Sequence, residues 1–316
     1  MLKWKKWVWF FGILIALILL ASPFILSRFW VGIMTEILIM ALAGMSLNFL
    51  LGYAGCLSFG HGAFFATSAF ATAIMMTKTH INQYLIVLII APVLATLLGT
   101  VIGILVSRLY AFYYAIMTCA FTMVLWALIR RWRSLTGGDS GIVGVKFRGM
   151  LEGISHAYFF TLGVVILCTV ILWVIGNSPF GWTLRAIREN PVRSSFTSID
   201  VARHRYLALV ISSFFCGVAG ALHVVYTFGA FPELAFWTKS GDIVTVCILG
   251  GINSFLGPII GSIVLILLET FITSVTLYWP LILGIIICAV VLLMPQGIMG
   301  VRVRWSGGKK PDDILS

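Results

Sequence analysis

The sequence is poor in charged residues. Asp, Glu, Lys and Arg make up 10% of the 316 residues, whereas the apolar set AVILMFWYC makes up 61%. A soluble domain carries about 25% charged and 45–50% apolar residues. A water-soluble core cannot bury such an excess of apolar side chains, but the hydrocarbon of a bilayer accepts it. The composition therefore predicts an integral membrane protein rather than a soluble enzyme.

The sequence also lacks common catalytic and metal-binding signatures. It contains no H-E-x-x-H, no G-x-S-x-G and no P-loop of the form G-x-x-x-x-G-K-[ST]. The nearest P-loop candidate, 307–310, lacks the upstream glycine and the hydroxyl. No C-x-x-C pair occurs among the six cysteines, which lie in or beside apolar segments and are expected to behave as small apolar residues. We therefore predict no catalytic residue, no metal site and no ATP hydrolysis by this chain.

Long apolar runs alternate with short polar or glycine-rich breaks. A helix needs about 20 residues to cross a bilayer, and a lone segment in lipid must satisfy its own backbone hydrogen bonds. The pattern predicts an all-α polytopic helical bundle of about ten spans, within a range of about eight to ten. The predicted spans are 7–27, 33–51, 61–77, 84–106, 111–129, 158–176, 206–228, 236–250, 256–276 and 279–295. The run 236–250 is short for a full crossing, so a broken or re-entrant helix is expected there.

Basic residues set the expected orientation. Three lysines precede the first apolar run, which is longer than the core of a signal peptide and is read as a retained span with a cytoplasmic N-terminus. With this threading, more Lys and Arg residues fall on the inner side than on the outer side, although the cluster 130–133 falls outside. The formal net charge of +11 is expected to face anionic lipid rather than nucleic acid. We predict a multi-pass membrane protein with one transmembrane domain, 1–300, and a basic cytoplasmic tail, 301–316.

Two glycine-rich breaks interrupt the helical pattern. The segments 51–62 and 249–261 each join two apolar helices, before the third and ninth spans. Interrupted segments at corresponding positions point to a transport pathway, whereas glycines also let helices pack closely in lipid. Both explanations can hold together, because unwound backbone is tolerated where it is buried in protein or lines a cavity. The candidate pathway residues are Gly52, Gly55, Ser58, Gly60, His61, Asp242, Gly250, Gly251, Gly257 and Pro258.

A few ionisable residues fall within or beside the apolar runs. Glu36, Asp242 and Glu269 are candidates for functional contacts. Alternatively, Asp242 is a carboxylate at a helix start and the two glutamates reach an interface. His61 could bind either a substrate carboxylate or a backbone carbonyl. A secondary transporter would need a charge relay, and the sequence offers no obvious Lys or Arg partner at this depth.

The segment 178–205 is too polar to cross the membrane. The pair Asn190-Pro191 predicts a helix start, because Asn caps free N–H groups and Pro lacks the N–H that would be unpaired. The helix is expected to run from Pro191 to about Ser198. Arg185, Arg188 and Glu189 lie just before it, and Arg193 lies on its first turn.

The loop 130–157 lies on the opposite side of the membrane in this threading. It contains the run Thr136, Gly137, Gly138 and Asp139. The run is either a docking surface for another protein or a solvated glycine turn.

Six stretches of the chain resemble the LIV-type (branched-chain amino acid) ABC permease family. They are 52–65, 135–142, 184–193, 217–222, 249–261 and 295–298, and they occur in the family's order over nearly the whole chain. The sequence departs from the family at Cys56, a position that is usually polar there.

The resemblance implies a non-catalytic permease subunit of an ABC importer in the bacterial inner membrane. It implies a second homologous permease subunit, two ABC ATPase subunits that bind ATP and Mg, and an extracytoplasmic solute-binding protein. It also implies that 185–200 is the cytoplasmic coupling helix and that the loop 130–157 meets the binding protein. The family serves leucine, isoleucine and valine, while relatives serve urea, short amides and other amino acids. The substrate therefore stays open, and a secondary transporter is the remote alternative.

Overall fold

The computed structural model describes Pro23 and residues 26–78, 84–109, 111–145, 147, 153–275, 278–293 and 297–299. Nearly all of the predicted first span and the whole tail lie outside the described residues. The described chain is mainly helical. Its α-helices are α1 (Arg28–Asn48), α2 (His61–Lys78), α3 (Tyr84–Val106), α4 (Ala111–Arg131), α5 (Arg133–Thr136), α6 (Ile154–Gly176), α7 (Pro179–Glu189), α8 (Pro191–Phe196), α9 (Val201–Thr227), α10 (Trp237–Gly250), α11 (Gly257–Val275) and α12 (Trp279–Leu293).

Every predicted span from 33–51 onward falls on a helix, which confirms the all-α polytopic fold. Within the described residues, six helices are long and apolar enough to cross a membrane: α1 with its π-helical end Phe49–Tyr53, α3, α4, α6, α9 and α11. The helices α2, α10 and α12 are shorter or less apolar. As the length of its apolar run suggests, α10 has only 14 residues.

The centre of the bundle is formed by α1 and α9, which lie against each other. Helix α9 also packs on α2 and α3, and α1 also packs on α6, α10 and α11. Both central helices are largely buried, whereas α3, α4 and α6 expose large apolar side chains such as Leu97, Val124 and Val170. Such outward apolar faces are expected of helices that meet lipid.

One end of the bundle is closed by the loop after α4, and we call it the loop end. A two-stranded antiparallel sheet pairs β1 (Ile142–Val143) with β2 (Gly229–Ala230) and so ties this loop to the segment after α9. Lys78 at the end of α2 donates to the carbonyls of Ser134 and Leu135. The loop is therefore fixed to both α2 and the end of α9.

The opposite end carries two helices that cross no membrane, α7 and α8, which we call the elbow (179–196). The predicted start at Asn190 is confirmed, because the Asn190 side chain accepts a hydrogen bond from the Arg193 N–H at 2.9 Å. The coupling helix 185–200 that the resemblance implied is instead two helices separated at Asn190, and no helix was predicted at 179–184, where α7 begins. Its signal is Ser178-Pro179, followed by the buried residues Gly181, Leu184 and Ile187 at a spacing of three.

Candidate functional site

The first glycine break is an unwound segment, 55–60, between α1 and α2. Its backbone is bonded by hydroxyl groups from other helices: Thr118 accepts from the Phe59 N–H at 3.1 Å, and Thr122 and Ser240 donate to the Phe59 carbonyl at 2.9 and 2.7 Å. Ser240 also accepts from the N–H of Gly62 at 2.9 Å. Side chains of α4 and α10 thus satisfy the backbone groups that unwinding leaves free.

Two residues of this break fix its local conformation. Gly55 has a φ of +70°, in the region that favours glycine, and a Cβ added there would lie 3.0 Å from Cγ of Arg188. Ser58 accepts a hydrogen bond from the Gly60 N–H at 3.1 Å. Both Ser58 and Gly60 are buried. The segment is therefore an ordered part of the bundle.

His61 begins α2 and is fully buried. Its Nε2 lies 2.7 Å from the Ser212 hydroxyl, which itself donates to the Ser46 carbonyl at 2.5 Å. Because the single hydroxyl proton of Ser212 goes to Ser46, we assign the proton of His61 to Nε2. Its contact is thus a serine hydroxyl rather than the backbone carbonyl or substrate group considered from the sequence. This chain of bonds joins α1, α2 and α9.

The second break joins α10 to α11 at very close range. A Cβ on Gly250 would overlap the Gly257 carbonyl, and a Cβ on Gly261 would overlap the Val246 carbonyl. Pro258 stands in the first turn of α11 and faces Gly44 of α1. Glycines at this break therefore allow backbone-to-backbone packing of neighbouring helices.

The two breaks meet at the elbow end. Asn48 donates to the Ser254 carbonyl at 2.9 Å, and a Cβ on Gly52 would lie 2.6 Å from the Ile252 carbonyl. A cavity of about 360 Å³ lies between the two breaks, α6 and α7. The breaks predicted separately from the sequence thus form one continuous region, which extends to Gly251 at the end of α10.

The elbow is attached to this region by two arginines. Arg185 stacks between the rings of Tyr53 and Trp182, with its guanidinium carbon 4.6 Å from each ring centroid. Arg188 donates to the Gly52 carbonyl at 2.5 Å and to the Asn253 amide oxygen at 2.6 Å. Two of the predicted coupling residues therefore point toward the bundle.

Other elbow residues are exposed, as is part of Arg188 itself. Glu189, Asn190 and Arg193 are exposed. Two apolar side chains of α8 are also exposed, Val192 at 62% and Phe196 at 84%. The sequence interpretation did not single out these two, although Phe196 is an aromatic residue in an otherwise polar stretch.

Ionisable side chains from four helices, α1, α9, α10 and α11, gather near the loop-end half of the bundle. Tyr226 donates to Glu36 at 3.5 Å, and Glu269 lies within electrostatic range of Glu36, Asp242 and Lys239. Lys239 stands one turn before Asp242 on α10. The sequence interpretation found no obvious basic partner for these carboxylates; Lys239, which it counted as a loop residue, lies within electrostatic range of Asp242 and Glu269. No group of three or more His, Cys, Asp or Glu side chains in the described part of the chain is placed to hold a metal ion.

The four predicted docking residues form a tight turn at the loop end. Thr136 donates to the carbonyls of Ile129 and Trp132, and Gly137 and Gly138 have φ angles of +80° and +63°. Thr136 and Gly138 are buried, whereas Gly137 and Asp139 are exposed. A hydrogen bond from Arg130 lowers the pKa of the Asp139 carboxyl below its ordinary value. Asp139 and Gly137 are thus the members of the run that another protein could touch.

A bundle of apolar helices that encloses unwound, hydrogen-bonded segments and carries a polar elbow at one end defines a multi-pass membrane permease. The family described as "Branched-chain amino acid transport system / permease component" matches residues 29–294, and the chain belongs to this family. The resemblance drawn from the sequence motifs is thereby confirmed.

Individual relatives span most of the chain. The high-affinity branched-chain amino acid transport system permease protein LivM of Escherichia coli (strain K12) is 27% identical, over 90% of this chain and 74% of LivM. LivM of Salmonella typhimurium is 25% identical, over 89% of this chain and 72% of its own. The guanosine ABC transporter permease protein NupP of Bacillus subtilis is 32% identical over 124 residues, 36% of this chain and 34% of NupP. No solved structure matches the chain.

Proposed function

We propose that the chain is one permease subunit of an ATP-driven importer of branched-chain or related amino acids. Its membership of the permease family and its similarity to LivM support the substrate class. The observation that supports ATP as the energy source is the position of the elbow. It exposes one surface outward, and its Arg188 forms hydrogen bonds with both glycine breaks. A motor that moves the elbow would therefore act directly on the unwound segments.

The outward surface of α8 suits an ATPase subunit. Val192 and Phe196 are exposed there, with the charged residues Glu189 and Arg193 beside them. Apolar side chains surrounded by charges at a water-facing surface are typical of a protein contact. In this proposal the elbow lies in the cytoplasm, where two ATPase subunits bind ATP and Mg. The chain itself hydrolyses nothing.

A second permease subunit is proposed to cover the charged residues. Glu269 is exposed on α11, six residues before that helix ends, and lies within electrostatic range of Asp242 and Glu36. A carboxylate on an apolar helix is costly in hydrocarbon and normally faces protein or a water-filled cavity. The face formed by α1, α10 and α11 is therefore proposed to border the translocation pathway.

The loop end is proposed as the docking surface of an extracytoplasmic binding protein. Its exposed residues Asp139, Gly137 and Trp132 stand on a turn fixed by buried hydrogen bonds. In this arrangement the binding protein selects the solute and the permease passes it on. Guanosine is a second candidate cargo, favoured by the similarity to NupP over 124 residues. Urea and short amides are the alternatives drawn from the sequence resemblance.

The proposal is tested with the complex purified by a tag on this chain and reconstituted in vesicles with its binding protein. We expect labelled leucine to enter only when ATP is supplied on the elbow side, and a proton-gradient uncoupler to leave uptake unchanged. Excess isoleucine, valine, guanosine and urea are then compared as competitors. Uptake by vesicles that hold this chain without any ATPase would overturn the proposal in favour of a secondary transporter.

A further inference from the structure

Arg188 is the elbow residue that bonds both glycine breaks. We propose that Arg188 is a positioning residue that links α7 to the two breaks and moves them together. This inference rests on the proposed function, because it needs an ATPase that displaces the elbow. The sequence interpretation placed Arg188 in the surface that contacts the ATPase. In the present inference Arg188 instead connects the elbow to the two breaks.

The first hydrogen bond of Arg188 is made to the π-helical turn at the end of α1. Its Nη1 donates to the carbonyl of Gly52, 2.5 Å away, next to the last residue of that turn. Carbonyls in the last turn of a helix have no partner within the helix and need one outside it. Beside this bond, Gly55 leaves room for the Arg188 side chain, since a Cβ there would lie 3.0 Å from its Cγ. The first break is thus shaped around this arginine.

The second bond reaches the turn between α10 and α11. Nη2 of Arg188 donates to the amide oxygen of Asn253 at 2.6 Å. A guanidinium holds its donors in one rigid plane, so the Gly52 carbonyl and the Asn253 amide keep a fixed separation while both bonds last. Lysine carries a charge but lacks this fork, so it cannot hold both acceptors in the same way.

The surroundings leave the joint able to move. The cavity of about 360 Å³ borders Arg188, Gly52 and Asn253. Arg185, one turn earlier on α7, stacks on Tyr53 and so adds to the contact with the first break. Both contacts of α7 with the first break, and its bond to the second, come from one face of one short helix. A shift of α7 is therefore transmitted to both breaks through Arg188.

The test uses the reconstituted complex with labelled leucine as the probe, and it measures leucine taken up per ATP hydrolysed. Arg188→Lys keeps the charge and removes the fork. Asn253→Ala removes the second acceptor at an exposed position, whereas Asn253→Asp keeps an oxygen acceptor there. Arg203→Ala, at an exposed arginine of the same polar segment, is the control for changing an arginine that does not bond the two breaks.

We expect Arg188→Lys and Asn253→Ala to lower uptake per ATP about tenfold, the size of losing one hydrogen bond from a charged donor. Asn253→Asp and Arg203→Ala should stay within about twofold of the unchanged protein. Hydrogen exchange should speed up at 251–256 in Asn253→Ala while the ATPase subunits still co-purify.

Unchanged uptake per ATP in both Arg188→Lys and Asn253→Ala would refute the linking role of Arg188 and leave the proposed function intact. Loss of the ATPase subunits from Arg188→Lys would also refute it, because Arg188 would then belong to the docking surface. Absence of ATP-dependent uptake by the unchanged complex would remove both the inference and the proposed function.

Discussion

Single hydroxyl groups determine how the first break is held. Thr118, Thr122 and Ser240 supply the donors and acceptors for Phe59, and they come from helices that lie far apart in the sequence. Glycines in the motif made the break visible in the sequence. Its partners could not be predicted, because serine and threonine occur throughout apolar helices without marking a contact. The same holds for His61, whose partner Ser212 lies 151 residues away.

Asn190 is the residue whose role could be predicted from local sequence alone. Its side chain caps the N–H of Arg193, a contact that needs only three residues of chain. We expect Asn190→Ala to destabilise α8 by about 1 kcal/mol, which corresponds to roughly fivefold faster hydrogen exchange at 192–196. Asn190→Asp keeps the capping oxygen and should exchange like the unchanged protein. Equal exchange in the alanine and aspartate variants would contradict the capping role.

At the scale of elements, the order of the helices and several of their ends followed from the apolar runs, although α1 and α9 each begin five residues before the predicted spans. The predicted span 84–106 coincides with α3, and 236–250 differs from α10 by one residue. The first part of α7 was missed because helices were predicted from long apolar runs, and the 11 residues of α7 are too few to cross a membrane. Only the burial of Leu184 and Ile187 against the bundle makes it a stable element.

The crossing of α10 and α11 depends on the absence of side chains at two points. Gly250→Ala would drive a methyl group into the Gly257 carbonyl, and we expect a loss of about 1–3 kcal/mol in unfolding free energy. Gly241→Ala on the same helix meets open space and should be neutral or stabilise by up to about 1 kcal/mol. Thermal unfolding in detergent, followed by tryptophan fluorescence, compares the two. Equal unfolding midpoints in the two variants would show that α10 and α11 can move apart at Gly250 without a loss of stability.

At the scale of the whole molecule, the sequence could not show which surfaces come together. The breaks 51–62 and 249–261 looked like equivalent features of two halves, whereas they form one region bridged by Asn48 and Arg188. Lys239 looked like a loop residue and lies with Glu36, Asp242 and Glu269. Contacts of this kind depend on how the helices pack, and the pattern of apolar residues along the chain does not specify that packing.

The two ends of the bundle should label from opposite sides of the membrane. Phe196→Cys on the elbow and Trp132→Cys at the loop end are both exposed positions, and Cys288→Ser removes an exposed native thiol. In sealed vesicles of known orientation, a membrane-impermeant maleimide should reach Phe196→Cys from the cytoplasmic side and Trp132→Cys from the other. The Cys288→Ser parent measures background labelling. Labelling of Phe196→Cys from outside would reverse the proposed orientation.

The hydroxyls that hold Phe59 have one more property. Each of them forms bonds that a water molecule reproduces with little change in enthalpy, since water likewise donates and accepts. When the interior is dry, the bend stays hydrogen-bonded to α4 and α10, because breaking those bonds would leave buried polar groups unsatisfied. When the interior floods, solvent competes for the same atoms and the bend loosens. The water content of the bundle interior would then set the stiffness of this bend.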